Sequence, residues 1–245
     1  MRIEDAAYRS RWRSVCPDAK AVFALAGGVA AFAAATPLQA LAVAIALMLL
    51  TWLAAGTPLW LYLRAALPAT AFLGLSCLSL LVTLGGDGHN SLVWQLATDA
   101  APRIAELASR SLAVLAALLF LIFSTPSPDL IDLLRRLHTP EALLDLMLLC
   151  YRMLSVFSEA LHDTLTAQQA RLGHGSPHHR LRSLGLLTAN LAVQIWLRAH
   201  ALHQAGMARH GEGALRFLPR SYPAARRDLT LAVIAGNLLV FAASR

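Results

Sequence analysis

One lysine, Lys20, serves a chain of 245 residues. A phosphate-binding loop ending G-K-[S/T] needs a lysine followed by Ser or Thr, and Lys20 is followed by Ala21, so the chain holds no such loop. If an ATP-driven process employs this chain, another chain hydrolyses the ATP. Cysteine is nearly as scarce. Cys16, Cys77 and Cys150 form no C-x-x-C pair, which excludes a dithiol redox centre and a disulfide framework and leaves reduced thiols with packing roles. Charged residues make up only 14% of the chain against 57% hydrophobic, and the mean hydropathy is +0.56. That balance argues against a soluble domain and for a polytopic membrane protein. The net charge of +7 is not interleaved with stacking aromatics, so no nucleic-acid partner is expected. A G-x-S-x-G elbow, an H-E-x-x-H helix and a pair of membrane aspartates are all absent, and no catalytic residue is assigned.

What the chain has in quantity is uncharged sequence. Residues 21–63 carry no charge, enough at roughly 1.5 Å per residue to cross a bilayer core of about 30 Å twice. Thr36-Pro37 is the natural break, predicting spans near 20–35 and 38–55. The first is rich in Ala and Gly, including Gly27 and Gly28, and is expected to pack closely against neighbouring helices. A third span is expected over 65–86, with a turn at 85–90 opening a loop that reaches Pro102. A fourth runs from Arg103 to Ser124. After the break at Ser124–Asp129 come amphipathic patterns at 130–137, 140–171 and 181–209, and residues 229–244 form a short final span. Residues 184–197 are apolar but too short to cross, and read as a buried or interfacial helix.

The fold class expected is therefore all-α, with about five transmembrane helices. The organisation is a cytoplasmic amphipathic segment over 1–20, four transmembrane helices over 21–124, a cytoplasmic helical region over 125–227 and a final transmembrane helix over 228–245. Of the 21 Lys and Arg residues, 17 fall in 1–20 and 125–227, and none in 85–102. By the positive-inside rule both rich segments face the cytoplasm, and five spans leave the C-terminus outside. The first twenty residues are too polar for a signal-peptide core.

Among candidate sites, Glu106 and Arg110 lie four apart within a span. Arg110 is read either as part of a substrate path or, preferably, as the intrahelical partner of Glu106. The nine histidines include His178-His179 and the pair His200 and His203. Without neighbouring carboxylates or thiolates they read as surface residues, and no metal site is assigned. Asp129 and Asp132 sit at a helix start, where carboxylates suit the helix dipole. A repeat is more informative. Ala170-Arg171-Leu172-Gly173-His174-Gly175 recurs as Ala208-Arg209-His210-Gly211-Glu212-Gly213, with the arginines 38 positions apart. The glycines end helices, so each copy puts an arginine at a helix end. Two equivalent arginine forks predict docking points for two copies of a soluble partner; the alternative is a short word repeated by chance.

These residues resemble a known family, the transmembrane coupling (T) component of energy-coupling-factor (ECF) transporters, in its CbiQ-type cobalt branch. The likeness is carried by residues 5–13 with Pro17-Asp18-Ala19-Lys20, by Thr125–Leu130 through Pro140 to Tyr151-Arg152, and by the two Ala-Arg-x words. The resemblance implies that 125–227 is a coupling-helix region and that the chain is a non-catalytic subunit in a bacterial inner membrane. Two cytosolic ABC-type ATPases would carry ATP and Mg, and a separate cobalt-binding membrane subunit would bind the substrate. No cofactor would be bound by this chain. The resemblance also implies that Ala170, Arg171, Leu172, Ala208, Arg209 and His210 dock the ATPases; His210 stands where related motifs carry small residues. A stand-alone secondary transporter or metal-ion channel is the alternative, and a membrane enzyme the third reading.

Overall fold

Prolines open many of the helices. In the computed structural model, which describes residues 2–53, 56–87, 91–96, 101–170, 177–208 and 222–244, α1 (Arg2–Arg9) leads through a tight 3-10 turn (Arg11–Ser14) to α2 (Pro17–Ala33). Then come α3 (Pro37–Leu53) and α4 (Leu59–Leu81). Pro17 and Pro37 each stand at a first helical position, where a missing N–H costs nothing. The break at Thr36-Pro37 is a reciprocal cap. Gln39 N–H donates to Thr36 Oγ1 at 3.3 Å, and Thr36 N–H donates to Gln39 Oε1 at 2.9 Å.

Helix α4 differs from the expected third span. It starts at Leu59, so Arg64 lies inside it, and it stops at Leu81. A two-stranded antiparallel hairpin follows, β1 (Val82–Asp87) with β2 (Ser91–Leu96), Val82 opposite Leu96 and Asp87 opposite Ser91. Its physical reason is local: Gly85-Gly86 disfavour helix, and Val82, Thr83, Val93 and Trp94 favour extended backbone. The remaining elements are α5 (Ala101–Ser124), α6 (Ser127–Arg136), α7 (Glu141–Ala170), α8 (Pro177–Ala208) and α9 (Ala225–Ser244). Apart from the hairpin, every regular element among the described residues is helical.

The chain divides into two compact units, Met1–Leu133 with Arg220–Arg245, and Leu134–Pro219. In the first, α5 is the central helix, with α2, α3 and α4 packed on it, and α9 lies along α2. Its core is built from small residues, among them Ala30, Ala31, Ala113 and Ala117, with Leu47, Phe120 and Phe123 filling between them. Close approach is literal at Gly236, where a Cβ would stand 2.6 Å from that of Ala26. Leu38, Phe72, Leu75 and Leu238 lie on the outer surface. Leu59–Leu80, Ala101–Ser124 and Ala225–Ser244 are long and apolar enough to cross a bilayer, and α3 is a shorter apolar helix. The second unit contains α7 and α8, joined through Ala160, Leu187 and Leu191.

Candidate functional site

Helices α7 and α8 have 30 and 32 residues, close to three times the usual length. They run antiparallel. Ala160 packs with Leu187 and Leu191, while the Arg198 guanidinium, further along α8, donates to the Val156 carbonyl, earlier in α7, at 3.3 Å. Helix α7 ends at Ala170 and α8 at Ala208, both exposed, so the two Ala-Arg-x words begin at opposite ends of the hairpin. At 1.5 Å per residue the two ends are about 40 Å apart along its length. The four other predicted docking residues, Arg171, Leu172, Arg209 and His210, lie outside the described residues.

Between α7 and α8 is a cavity of about 560 Å³ with an almost wholly apolar wall, including Leu149, Met153, Phe157, Leu191, Ile195 and Leu202. Its surface suits apolar groups and offers no cage of hard or charged ligands for a cation. Among the described residues no three His, Cys, Asp or Glu side chains converge to hold a metal. His200 faces Gln204, ring Nε2 to amide Nε2 at 3.2 Å, one turn along α8.

In the first unit, cations meet helix ends. Arg110 binds Glu106 at 2.7 Å, as their spacing predicts, but its Nη2 also donates to the Ala34 carbonyl at 3.2 Å. Ala34 is the C-cap of α2. Lys20, buried to 1% exposure near the start of α2, donates from Nζ to the Ser124 carbonyl at 2.9 Å, on the last residue of α5. Helices α2 and α5 are thus antiparallel, and each supplies a cation to the other's C-terminus, where unbonded carbonyls and the dipole favour positive charge. Sequence reasoning missed this pair of clamps, because a backbone acceptor has no residue signature.

The end of the bundle at Ser124 is tied further. Cys16 N–H donates to Asp228 Oδ2 at 3.2 Å, joining the start of α2 to the start of α9, and the Cys16 thiol approaches Asp18 Oδ2 at 3.4 Å. Burial pushes that thiol's pKa up. Tyr222 Oη donates to Asp129 Oδ2 at 3.3 Å, so Asp129 both opens α6 and receives a bond from across the unit.

The long apolar helices of the first unit, with their outward apolar faces, define a multi-pass membrane protein of helical type. The cobalt transport protein CbiQ family profile matches residues 9–217, and the chain belongs to that family. It is 33% identical to the cobalt transport protein CbiQ of Rhodobacter capsulatus, over 88% of this chain and 86% of that one. It is 30% identical to CbiQ of Salmonella typhimurium, over 78% and 88%. A putative fused cobalt transport protein CbiMQ of Methanocorpusculum labreanum is 31% identical over half of this chain, a match covering 22% of that protein. The chain is a multi-pass membrane protein of cobalt transport.

Proposed function

We propose that this protein is the non-catalytic coupling subunit of an energy-coupling-factor importer for cobalt. It would link two cytosolic ABC-type ATPases to a separate cobalt-binding membrane subunit. The observation that carries the reading is that α7 and α8, whose last residues Ala170 and Ala208 begin the two Ala-Arg-x words, finish at opposite ends of one hairpin. That spacing offers one end to each of two ATPase copies. Arg171 and Arg209 are the docking residues, each a planar fork suited to carboxylates and carbonyls in a groove, with Ala170, Leu172, Ala208 and His210 beside them. ATP and Mg belong to the partner chains, because this one lacks a phosphate-binding loop, and it binds no cofactor itself. The fused CbiMQ relative supports a second membrane partner, since most of that protein lies outside the match.

Closure of the ATPase pair on ATP moves the two arginine-tipped helices. The long helices act as levers that tilt or release the substrate-binding subunit. The N-terminus and the 125–227 region face the cytoplasm of a bacterial cell, on the inner membrane, in line with their concentration of Lys and Arg. The test is Arg171→Glu with Arg209→Glu. Reversing charge at a buried ionic contact costs at least about thirtyfold in affinity at each site. The double variant is expected to insert normally, to lose co-purification of the ATPases and to abolish cobalt uptake. Normal uptake by the double variant, or cobalt uptake into liposomes by this chain alone, would overturn the proposal.

A further inference from the structure

The corner between α3 and α4 carries exposed arginines that the coupling role does not use. Two hydrogen bonds fasten its described residues: Thr57 Oγ1 donates to the Thr51 carbonyl at 3.0 Å, Thr51 Oγ1 donates to the Leu47 carbonyl at 2.7 Å, and both threonines are buried. Gly56 turns the chain with φ +71°, a conformation that L side chains rarely adopt. The Arg11 side chain lies across that glycine, its Nε 3.7 Å from where a Cβ would stand. Four residues on, in the first turn of α4, Trp60 is 64% exposed, and the Arg64 guanidinium sits over its ring at 5.1 Å. Arg11 and Arg64 are both exposed. Trp12 holds the segment bearing Arg11 in place by packing edge-on against the buried Phe120 ring at 5.5 Å.

Below Arg64 the same face of α4 turns wholly apolar. Trp60, Arg64, Leu67, Leu75 and Leu78 fall on one stripe at helical spacing, and the three leucines are exposed along a helix long enough to cross a bilayer. A guanidinium stacked on an interfacial tryptophan, above an open apolar stripe, matches the two halves of a phospholipid. We infer that this corner binds an anionic phospholipid, its headgroup phosphate held by Arg11 and Arg64 and its acyl chains lying along Leu67, Leu75 and Leu78. Commitment to a lipid rather than a free anion rests on that stripe, which a soluble phosphate would leave unused.

The experiment is native mass spectrometry of the full chain released from nanodiscs holding equal phosphatidylglycerol and phosphatidylcholine. The wild-type chain is expected to retain phosphatidylglycerol selectively and to lose that selectivity in high salt. Arg11→Gln with Arg64→Gln is expected to lower retention about fivefold for each arginine removed. Arg226→Gln with Arg227→Gln, which removes equal charge from the exposed start of α9, is expected to leave it unchanged. The inference fails if the wild type shows no headgroup preference, if the Arg11/Arg64 variant retains as much as wild type, if the Arg226/Arg227 control loses as much, or if inorganic phosphate alone displaces the lipid. Should the double variant fail to insert, the wild type decides through its headgroup preference and salt dependence. A second readout is quenching of Trp60 by bromine-labelled acyl chains in a chain whose other tryptophans are replaced by phenylalanine, which keeps an aromatic ring at position 12 against Phe120. Stronger quenching by labelled phosphatidylglycerol than by labelled phosphatidylcholine supports the site, and equal quenching by the two overturns it.

Discussion

Lys20 and Arg110 do the same job with unequal burial, and burial decides what each contributes. The Lys20 ammonium is 1% exposed and gives a charge-assisted bond to the end of α5. Replacing it with Met leaves that carbonyl without its charged donor and is expected to cost about 1.5–3 kcal/mol. Arg110 is 31% exposed at its side chain and Glu106 44%, so Arg110→Leu is expected to cost less than about 1 kcal/mol. Thermal unfolding of the two variants in detergent checks the order, and an equal loss would refute it. The lone lysine was plain in the sequence, yet only what it excludes could be read there. Its acceptor is a main-chain oxygen 104 residues away, which leaves no trace in residue type. The Glu106–Arg110 pair was legible, because its geometry is local to one helix turn.

Cys16 gives a pH prediction at the same scale. Burial raises its pKa above the ordinary 9.0, so the folded state holds the proton more tightly than the unfolded chain does. That stabilisation is fully present below about pH 9 and is lost as pH climbs through the raised folded value. Maleimide labelling at neutral pH is expected to reach the exposed Cys150 readily and Cys16 only on unfolding. Labelling of Cys16 in the folded chain as fast as Cys150 would contradict this.

Among the elements, α2 and α9 show how close packing replaces hydrophobic drive inside a membrane. Gly236→Ala places a methyl 2.6 Å from that of Ala26, so the helices must separate, at a cost of about 1–3 kcal/mol. Among the described residues Ala26 is the only neighbour such a methyl would meet, so adding Ala26→Gly is expected to restore most of the lost stability, read as recovery of the melting temperature. If the second change rescues nothing, the contact is not what limits packing there. The break at Thr36-Pro37 was legible, since a proline acts on its immediate neighbours, and α3 starts at Pro37. The start of α4 was not. The boundary drawn at Arg64 marks where charge begins, which reports on solvent, whereas the backbone had already turned helical at Leu59. The hairpin was hidden for a similar reason, its strands being apolar enough to pass for the end of a span.

At the scale of the molecule, composition set the mixed region at 125–227, while compactness sets the second unit at Leu134–Pro219. The difference lies in residues that are polar but belong with the helical bundle. Asp129 and Tyr222 bond to each other, and Asp228 bonds to the start of α2, so both flanks of the mixed stretch fold back into the first unit. Polarity alone could not reveal that, because a charged residue facing a buried partner looks the same in sequence as one facing water. Membership of the CbiQ family, by contrast, was legible from the N-terminal segment, the stretch from Thr125 to Arg152 and the twin arginine words.

The paired clamps between α2 and α5 also bear on biogenesis. Lys20 enters the bilayer with the first helix, but the carbonyl that receives it belongs to residue 124, and the cap that Arg110 provides for Ala34 comes 76 residues after it. Four helices must therefore be synthesised before either end of that pair is closed. The order of translation leaves the first membrane helix unclamped at both ends until the fourth is made.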